Sequence, residues 1–157
     1  MNIAIGADHA GFQQKERIKA LLAARGHAVL DLGTTSLEST DYPHYAFKVA
    51  EAVRDGAAER GILLCDSGNG IAIAANKVEG IRAAIVVSEW QAEMSRRHND
   101  ANVMVLGSAM TKEGEEAKIL DAWLDAPFDG GRHARRVGQI SEYEQARNRG
   151  SERSRSS

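Results

Sequence analysis

Short apolar runs alternate with segments of helical periodicity along most of this chain. Five runs predict strands, because each is aliphatic and is bounded by glycine or polar residues. They cover residues 3–5, 28–32, 61–65, 83–87 and 103–106. The third run has no polar alternation, which is typical of a strand that is covered on both faces.

Between these runs, apolar residues recur at the spacing of an amphipathic helix. Ala46, Val49, Ala50 and Val53 follow the i, i+3, i+4, i+7 pattern. Ser88 to Gln91 forms a capping box, which predicts the start of another helix. Further helices are expected around residues 18–22, after residue 70 and around residues 119–124.

Strands that alternate with helices predict a parallel sheet with helices on both faces. The expected fold class is α/β: a single-domain, Rossmann-like three-layer sandwich with a five-stranded parallel sheet. We expect the domain to span residues 1–148. Residues 149–157 are polar and nearly free of apolar side chains, so a disordered C-terminal tail is expected there.

Composition narrows the functional classes. With 157 residues, the chain is long enough for one core, and its net charge of -2 argues against broad nucleic-acid binding. A single cysteine rules out an intramolecular disulfide and fits a reducing cytoplasm. The N-terminal segment has no basic region, and no apolar stretch approaches the roughly 20 residues that span a membrane. We therefore expect a soluble cytoplasmic protein with no membrane or nucleic-acid partner.

Candidate chemistry is expected where strands end, since ligands of open α/β sheets bind beyond the carboxyl ends of the strands. The third predicted strand ends at Cys65, and Asp66, Ser67, Gly68, Asn69 and Gly70 follow it. A helix start lowers the pKa of a thiol, and its N–H groups bind an anion or a developing oxyanion. The alternative is that Cys65 is a small core residue, as lone cysteines at strand ends often are.

Other polar residues carry similar alternatives. Asp8 and His9 follow the first strand and either bind sugar hydroxyls and phosphate or cap a helix. His98 is either a general acid–base group or a surface residue near a helix end. Arg132 and Arg136 lie four apart, so on a helix they point the same way and either bind phosphate or form a solvated face.

Two nucleotide motifs and a zinc site are poorly supported. Gly6 and Gly11 lack the Lys-Ser/Thr pair of a P-loop. Gly68 and Gly70 lack a third glycine and follow the third strand, which weakens a Rossmann-type reductase. The five histidines and one cysteine show no zinc-ligand spacing, so the spacing does not support a zinc site.

Five longer segments occur in a fixed order along the chain: IAIGADHAGF, DYPHYA, GILLCDSGNGIAIAANKVEGIRAA, SRRHNDANV and FDGGRHARRV. Together they resemble the type B ribose-5-phosphate isomerase family, which also includes galactose-6-phosphate isomerase subunits. The resemblance runs from residue 1 to about residue 143.

The resemblance implies an aldose–ketose isomerisation of a sugar phosphate through a cis-enediol, without metal or organic cofactor. Cys65 would take the proton beside the carbonyl, and His98 would donate a proton to open the ring. The residues implied to bind substrate are Asp8, His9, Asp66, Ser67, Gly68, Asn69, Gly70, Asn99, Arg132 and Arg136. Family members are homodimers or dimers of dimers with shared sites, so His98 would serve the partner chain's Cys65.

Two positions depart from the family pattern. Asp66 stands where glycine is common, and a carboxylate beside a thiol raises the pKa of that thiol unless it points away or is neutralised. Ala109 stands where the family usually has a phosphate-binding arginine, and losing such a contact costs about 1.5–3 kcal/mol. The resemblance makes the conversion of ribose 5-phosphate to ribulose 5-phosphate the expected reaction. The alternative substrates are a four- or six-carbon sugar phosphate or a nonphosphorylated sugar, and the alternative function is a noncatalytic sugar-phosphate sensor.

Overall fold

The computed structural model describes residues 1–155, which form one parallel sheet with helices on both faces. The strands are β1 Asn2–Ala7, β2 Ala28–Asp31, β3 Arg60–Cys65, β4 Ala83–Ile85 and β5 Val103–Gly107. The helices are α1 Phe12–Ala24, α2 Tyr42–Arg54, α3 Asn69–Ala75, α4 Glu89–Asn99, α5 Glu116–Asp125 and α6 Arg132–Arg155. The sheet order is β2-β1-β3-β5-β4, so the expected α/β class with a five-stranded parallel sheet is confirmed.

Two apolar layers hold the helices to the sheet. On one face, α1, α4 and α5 pack on alternate strand residues around Ile62, Leu64 and the fully buried Trp123. On the other face, α2 and α3 pack around Leu63 and Cys65. Because successive strand residues point to opposite faces, β3 supplies both layers, and Cys65 belongs to the layer of α2 and α3.

The chain reverses its direction of travel across the sheet between β1 and β3. From β1 it moves outward to β2 and then returns to place β3 on the other side of β1. This is the topological switch point where open α/β sheets bind ligands. The loops that begin at Asp8 and at Asp66 meet here, because the Asp8 amide donates to the Leu64 carbonyl at 3.3 Å.

The fourth strand is shorter than predicted. The run over residues 83–87 contributes only Ala83–Ile85 to β4, although the Val86 amide still bonds to the Val105 carbonyl. The expected capping residues explain the early end. Ser88 Oγ accepts the Gln91 amide at 3.2 Å, and Gln91 Oε1 accepts the Val87 amide at 3.0 Å, which turns the chain into α4.

The last helix was not predicted. The structure places residues 149–155 in α6, and the expected domain boundary at residue 148 falls inside this helix; residues 156–157 lie outside the described residues. The second half of α6 is rich in Arg, Glu and Gln, which favour helices even without an apolar face. Glu144 and Asn148 also attach α6 to residues 79–80 through hydrogen bonds of 2.9 and 2.8 Å. None of the helices described is both long and apolar enough to cross a membrane.

Candidate active site

The Cys65 thiol lies at the carboxyl end of β3, in a nest of backbone N–H groups. The side chain is 5% exposed, and Sγ accepts the Gly68 amide at 3.2 Å. The amides of Ser67 and Ile71 also favour the thiolate. Gly68 has φ +81°, a left-handed conformation that glycine adopts without steric cost.

Burial nevertheless raises the pKa of Cys65, and the charge of Asp8 adds to this rise. The three amides oppose burial without cancelling it. The helix start was expected to lower the pKa of Cys65, and burial outweighs this effect. Asp66 is exposed, and the carboxylate whose charge raises the pKa of Cys65 is that of Asp8.

Asp8 shapes the neighbouring loop after β1. Its carboxylate is buried and accepts the amides of Ala10 and Gly11 at 3.0 and 3.2 Å. Gly11 lies so close to β3 that a Cβ there would be 2.6 Å from the Leu64 carbonyl oxygen. The loops that carry Asp8 and Cys65 are thus fixed against each other.

His9 is oriented by the loop that precedes α2. Its Nδ1 accepts the Thr40 amide at 3.2 Å. A ring nitrogen that accepts a hydrogen bond is unprotonated, so neutral His9 carries its proton on Nε2. His9 therefore presents an N–H donor at Nε2, suited to an oxygen of a bound ligand.

Small residues bring further loops against Cys65. The amides of Ser108 and Ala109 donate to the carbonyls of Cys65 and Asp66 at 2.8 and 3.0 Å. The two residues that depart from the family pattern, Asp66 and Ala109, are thus neighbours in space. At Gly70, a Cβ would lie 2.5 Å from the Tyr42 ring, so this ring borders the loop that holds Ser67 and Asn69.

A second cluster lies where α4 ends and α6 begins. The imidazole rings of His98 and His133 stack with centroids 4.2 Å apart and planes within 2°. The Asp129 carboxylate accepts a hydrogen bond from Arg97 Nε at 3.1 Å, and the Asp129 backbone amide donates to the Arg97 carbonyl. His133 is buried, and desolvation lowers its pKa, as do the positive neighbours His98, Arg132 and Arg136, while Asp129 opposes them.

The two clusters lie at opposite edges of the sheet. Cys65 follows the carboxyl end of β3, whereas α4 runs back and delivers His98 and Asn99 just before the amino end of β5. The five residues of β5 separate the edges by about 17 Å at the rise of a parallel strand. One chain therefore groups Cys65, Asp8, His9 and residues 66–70, and separately groups His98, Asn99, Arg132 and Arg136.

A metal ion fits the second cluster poorly. One ligand atom each of His98, Asp129 and His133 lie within 4.8 Å of one another. The stacked rings are parallel, however, so their nitrogen lone pairs do not converge on one point. Arg97 already binds Asp129, and Arg132 and Arg136 lie beside His133, so the local charge favours an anion.

Comparison with known proteins assigns this chain and its fold to a family. A model of the ribose/galactose isomerase family matches residues 3–140. The chain belongs to this family. It is 51% identical over 146 residues to ribose-5-phosphate isomerase B of Escherichia coli strain K12. The aligned residues cover 93% of this chain and 98% of that protein.

Solved structures agree with this assignment. Ribose-5-phosphate isomerase B from Clostridium thermocellum matches with a TM-score of 0.91 and 51% identity, over 93% of this chain and 99% of that one. The Mycoplasma genitalium ribose-5-phosphate isomerase B with bound ribulose-5-phosphate matches with a TM-score of 0.88 and 43% identity, over 92% and 96% of the two chains.

In this member of the ribose/galactose isomerase family, the structure adds residues that the sequence did not single out as site residues. His133 stacks on His98, Asp129 joins the ends of α4 and α6, and Tyr42 borders Gly70. His133 stands between Arg132 and Arg136, so its position in the motif FDGGRHARRV was a usable signal. Nothing in the spacing of Tyr42 pointed to Gly70.

Proposed function

We propose that this chain is an aldose–ketose isomerase of a phosphorylated sugar, with ribose 5-phosphate as the best candidate substrate. The observation that carries the proposal is the Cys65 thiol at the switch point of the sheet, held among the amides of Ser67, Gly68 and Ile71. In the same family, the Mycoplasma genitalium enzyme binds ribulose-5-phosphate.

The proposed chemistry moves one proton between adjacent carbons. The Cys65 thiolate takes the proton from C2 of the open-chain aldose, and the electron pair of the C–H bond forms the C1–C2 double bond. The electrons of the carbonyl pass to O1, which becomes the enediolate oxygen. The thiol then returns the proton to C1, the O2 hydroxyl passes its proton to O1, and the carbonyl forms at C2, so that the ketose and the thiolate result. The amides of Ser67 and Gly68 face the thiol, and that of Asn69 donates to Ser67 Oγ, so the Gly70 amide is the one in this loop suited to the oxyanion.

In this proposal, residues of the second cluster open the sugar ring and bind the phosphate. His98 donates a proton to the ring oxygen, and Arg132 and Arg136 hold the phosphate. Asp8, His9, Asn99 and residues 66–70 contact the sugar. Proton transfer between carbons needs no metal or organic cofactor, and these residues supply both an acid and a base.

Because the two clusters lie at opposite edges of one sheet, we propose that a second copy supplies the other half of each site. A homodimer, or a dimer of dimers, places His98 of one chain beside Cys65 of the other. The required free thiol fits a cytoplasmic location, where thiols stay reduced.

Substrate identity depends on the corner formed by Asp66 and Ala109. Their backbone groups are bonded at 3.0 Å, so one corner carries an added carboxylate and lacks an arginine. A phosphate is less favoured there, and a hydroxyl group is favoured. A four- or six-carbon sugar phosphate is the first alternative substrate. A noncatalytic sugar-phosphate sensor is the second alternative function, motivated by the raised pKa of Cys65.

The test is proton exchange in D₂O. A panel of aldose phosphates is incubated with the wild type and with Cys65→Ala, and C2 deuteration is followed by NMR. We expect exchange with ribose 5-phosphate or another pentose, tetrose or hexose phosphate, and a loss of about 100- to 10,000-fold in Cys65→Ala, the usual worth of a general base. Full activity in a folded Cys65→Ala variant contradicts the role of Cys65, and no exchange with any sugar supports the sensor.

A further inference from the structure

The turn that carries His98 and Asn99 ends in an unusual backbone conformation. Asp100, which follows them, has φ 46°, and it is the only residue other than glycine with a positive φ in the described part of the chain. Such a conformation is costly for a residue with a side chain and persists only where neighbours hold it. The placement of His98 therefore depends on what fixes Asp100.

Arg82 is the group that fixes it. Its guanidinium donates to the Asn99 carbonyl at 2.9 Å and to the Asp100 carbonyl at 2.9 and 3.2 Å, and Nη2 lies 3.3 Å from the Asp100 carboxylate. Arg96 holds the other carboxylate oxygen of Asp100 at 2.9 Å. Arg82 thus satisfies the free carbonyls that every helix end leaves.

Asn102 fixes Arg82 in turn. Its side-chain oxygen accepts the Arg82 amide at 2.8 Å, and its side-chain nitrogen donates to the Gly80 carbonyl at 2.8 Å. The short segment over residues 79–82 is therefore joined to the end of α4 through both backbone and side-chain bonds.

The same segment holds α6 from its other side. The Gly80 amide donates to Glu144 Oε2 at 2.9 Å, and Asn148 donates to Glu79 at 2.8 Å. The first turns of α6 carry Arg132, His133 and Arg136. Besides the segment over residues 79–82, α4 and α6 meet through the stacked rings of His98 and His133 and through Asp129.

We infer that Arg82 and Glu144 are positioning residues that hold the acid His98 and the phosphate-binding arginines in one fixed arrangement through residues 79–82. Arg82 acts on His98 and Asn99 through the turn at Asp100. Glu144 acts on Arg132 and Arg136 by fixing the orientation of α6, the helix that carries all three residues. The inference rests on the proposed function for the roles of His98 and the arginines, but the geometric coupling itself is independent of turnover.

The two residues predict different kinetic effects. Arg82→Gln is expected to lower kcat by about 10- to 100-fold through misplacement of the acid, with binding of inorganic phosphate within about twofold of the wild type. Glu144→Ala is expected to weaken inorganic phosphate binding about fivefold, the usual worth of one hydrogen bond. Glu144→Gln keeps an oxygen acceptor for the Gly80 amide and is expected to restore wild-type binding.

The experiment measures kcat, KM and inorganic phosphate affinity for these variants, together with the NMR ring resonances of His98 and His133. Arg54→Gln is the matched control, because Arg54 lies on the exposed end of α2 and pairs with Asp55. We expect the ring resonances to move in Arg82→Gln and to stay in place in Arg54→Gln. If Arg82→Gln does not fold, Asn102→Ala removes the same anchor indirectly and takes its place.

Unchanged kcat and unmoved ring resonances in folded Arg82→Gln overturn the inference, as do Arg82→Gln and Glu144→Ala variants that lose only thermal stability. If the wild type isomerises no sugar phosphate, the proposed function fails. The ring resonances and the phosphate affinities then decide the positioning inference by themselves.

Discussion

The proposed division of the site between two chains makes a sharp prediction about mixed dimers. Cys65→Ala removes the base from one edge of the sheet, and His98→Asn removes the acid from the other edge. In a dimer that contains one chain of each kind, the first composite site combines Cys65 of one chain with His98 of the other and is intact. The second composite site combines both substitutions and is inactive.

The magnitude follows from the geometry. The edges of one chain are about 17 Å apart, so Cys65 and His98 of the same chain do not act on one sugar. Random pairing of equal amounts of the two variants makes half of the dimers mixed, and each mixed dimer holds one intact site of two. We therefore expect about a quarter of wild-type activity per chain in the mixture and about half in purified mixed dimer, since symmetric pairing repeats the same interface.

The assay uses co-expressed chains with two different affinity tags, so that the mixed dimer is isolated by sequential purification. Its turnover of ribose 5-phosphate is compared with that of each parent variant. A mixed dimer of His98→Asn with Arg136→Gln is the matched control, because both substitutions lie in the same cluster and its sites keep only one defect each. A purified Cys65→Ala/His98→Asn dimer no more active than its parents would refute the shared site.

Three further predictions concern single substitutions. Gln14→Leu is expected to raise the free energy of unfolding by about 1–3 kcal/mol, because both amide atoms of buried Gln14 lack a partner in the described residues. Chemical denaturation measures this free energy, and a decrease contradicts the prediction. Asp8→Asn is expected to shift the acid limb of kcat/KM to lower pH, since the charge of Asp8 raises the pKa of Cys65 and the base is the thiolate; a limb that stays in place contradicts it. Gly11→Ala, whose Cβ would lie 2.6 Å from a backbone carbonyl, is expected to lower the unfolding free energy by about 1–3 kcal/mol; Gly138→Ala meets no atom within 4 Å and is the stable control.

Much of the sheet could be predicted from sequence because its three central strands, β1, β3 and β5, are buried on both faces. A strand of that kind is a continuous aliphatic run, so the run over residues 61–65 marked β3 almost to its ends. The fourth strand was overestimated for a specific reason. Val87 is as aliphatic as the residues before it, but its amide donates to Gln91 Oε1 at the start of α4, so the ladder ends after the bond from the Val86 amide to Val105.

The last helix shows where periodicity fails. α6 is mainly polar, and the contacts that attach it to the rest of the domain include hydrogen bonds between its residues Glu144 and Asn148 and residues 79–80, far away in sequence. A helix that is held by such hydrogen bonds lacks the apolar stripe from which a helix can be predicted. The same applies to His133, whose stacking on His98 depends on how α4 and α6 meet.

The separation of the base from the acid follows from the direction in which a parallel sheet is connected. Each helix returns the chain from the carboxyl edge to the amino edge, so a residue after a strand and a residue at the end of a helix lie on opposite edges. Cys65 belongs to the first kind and His98 to the second. If the chain uses both residues in one reaction, the carboxyl edge of one sheet must therefore lie close to the amino edge of a second copy's sheet. Under the proposed mechanism, assembly completes the site, and dissociation is expected to abolish turnover while each fold persists.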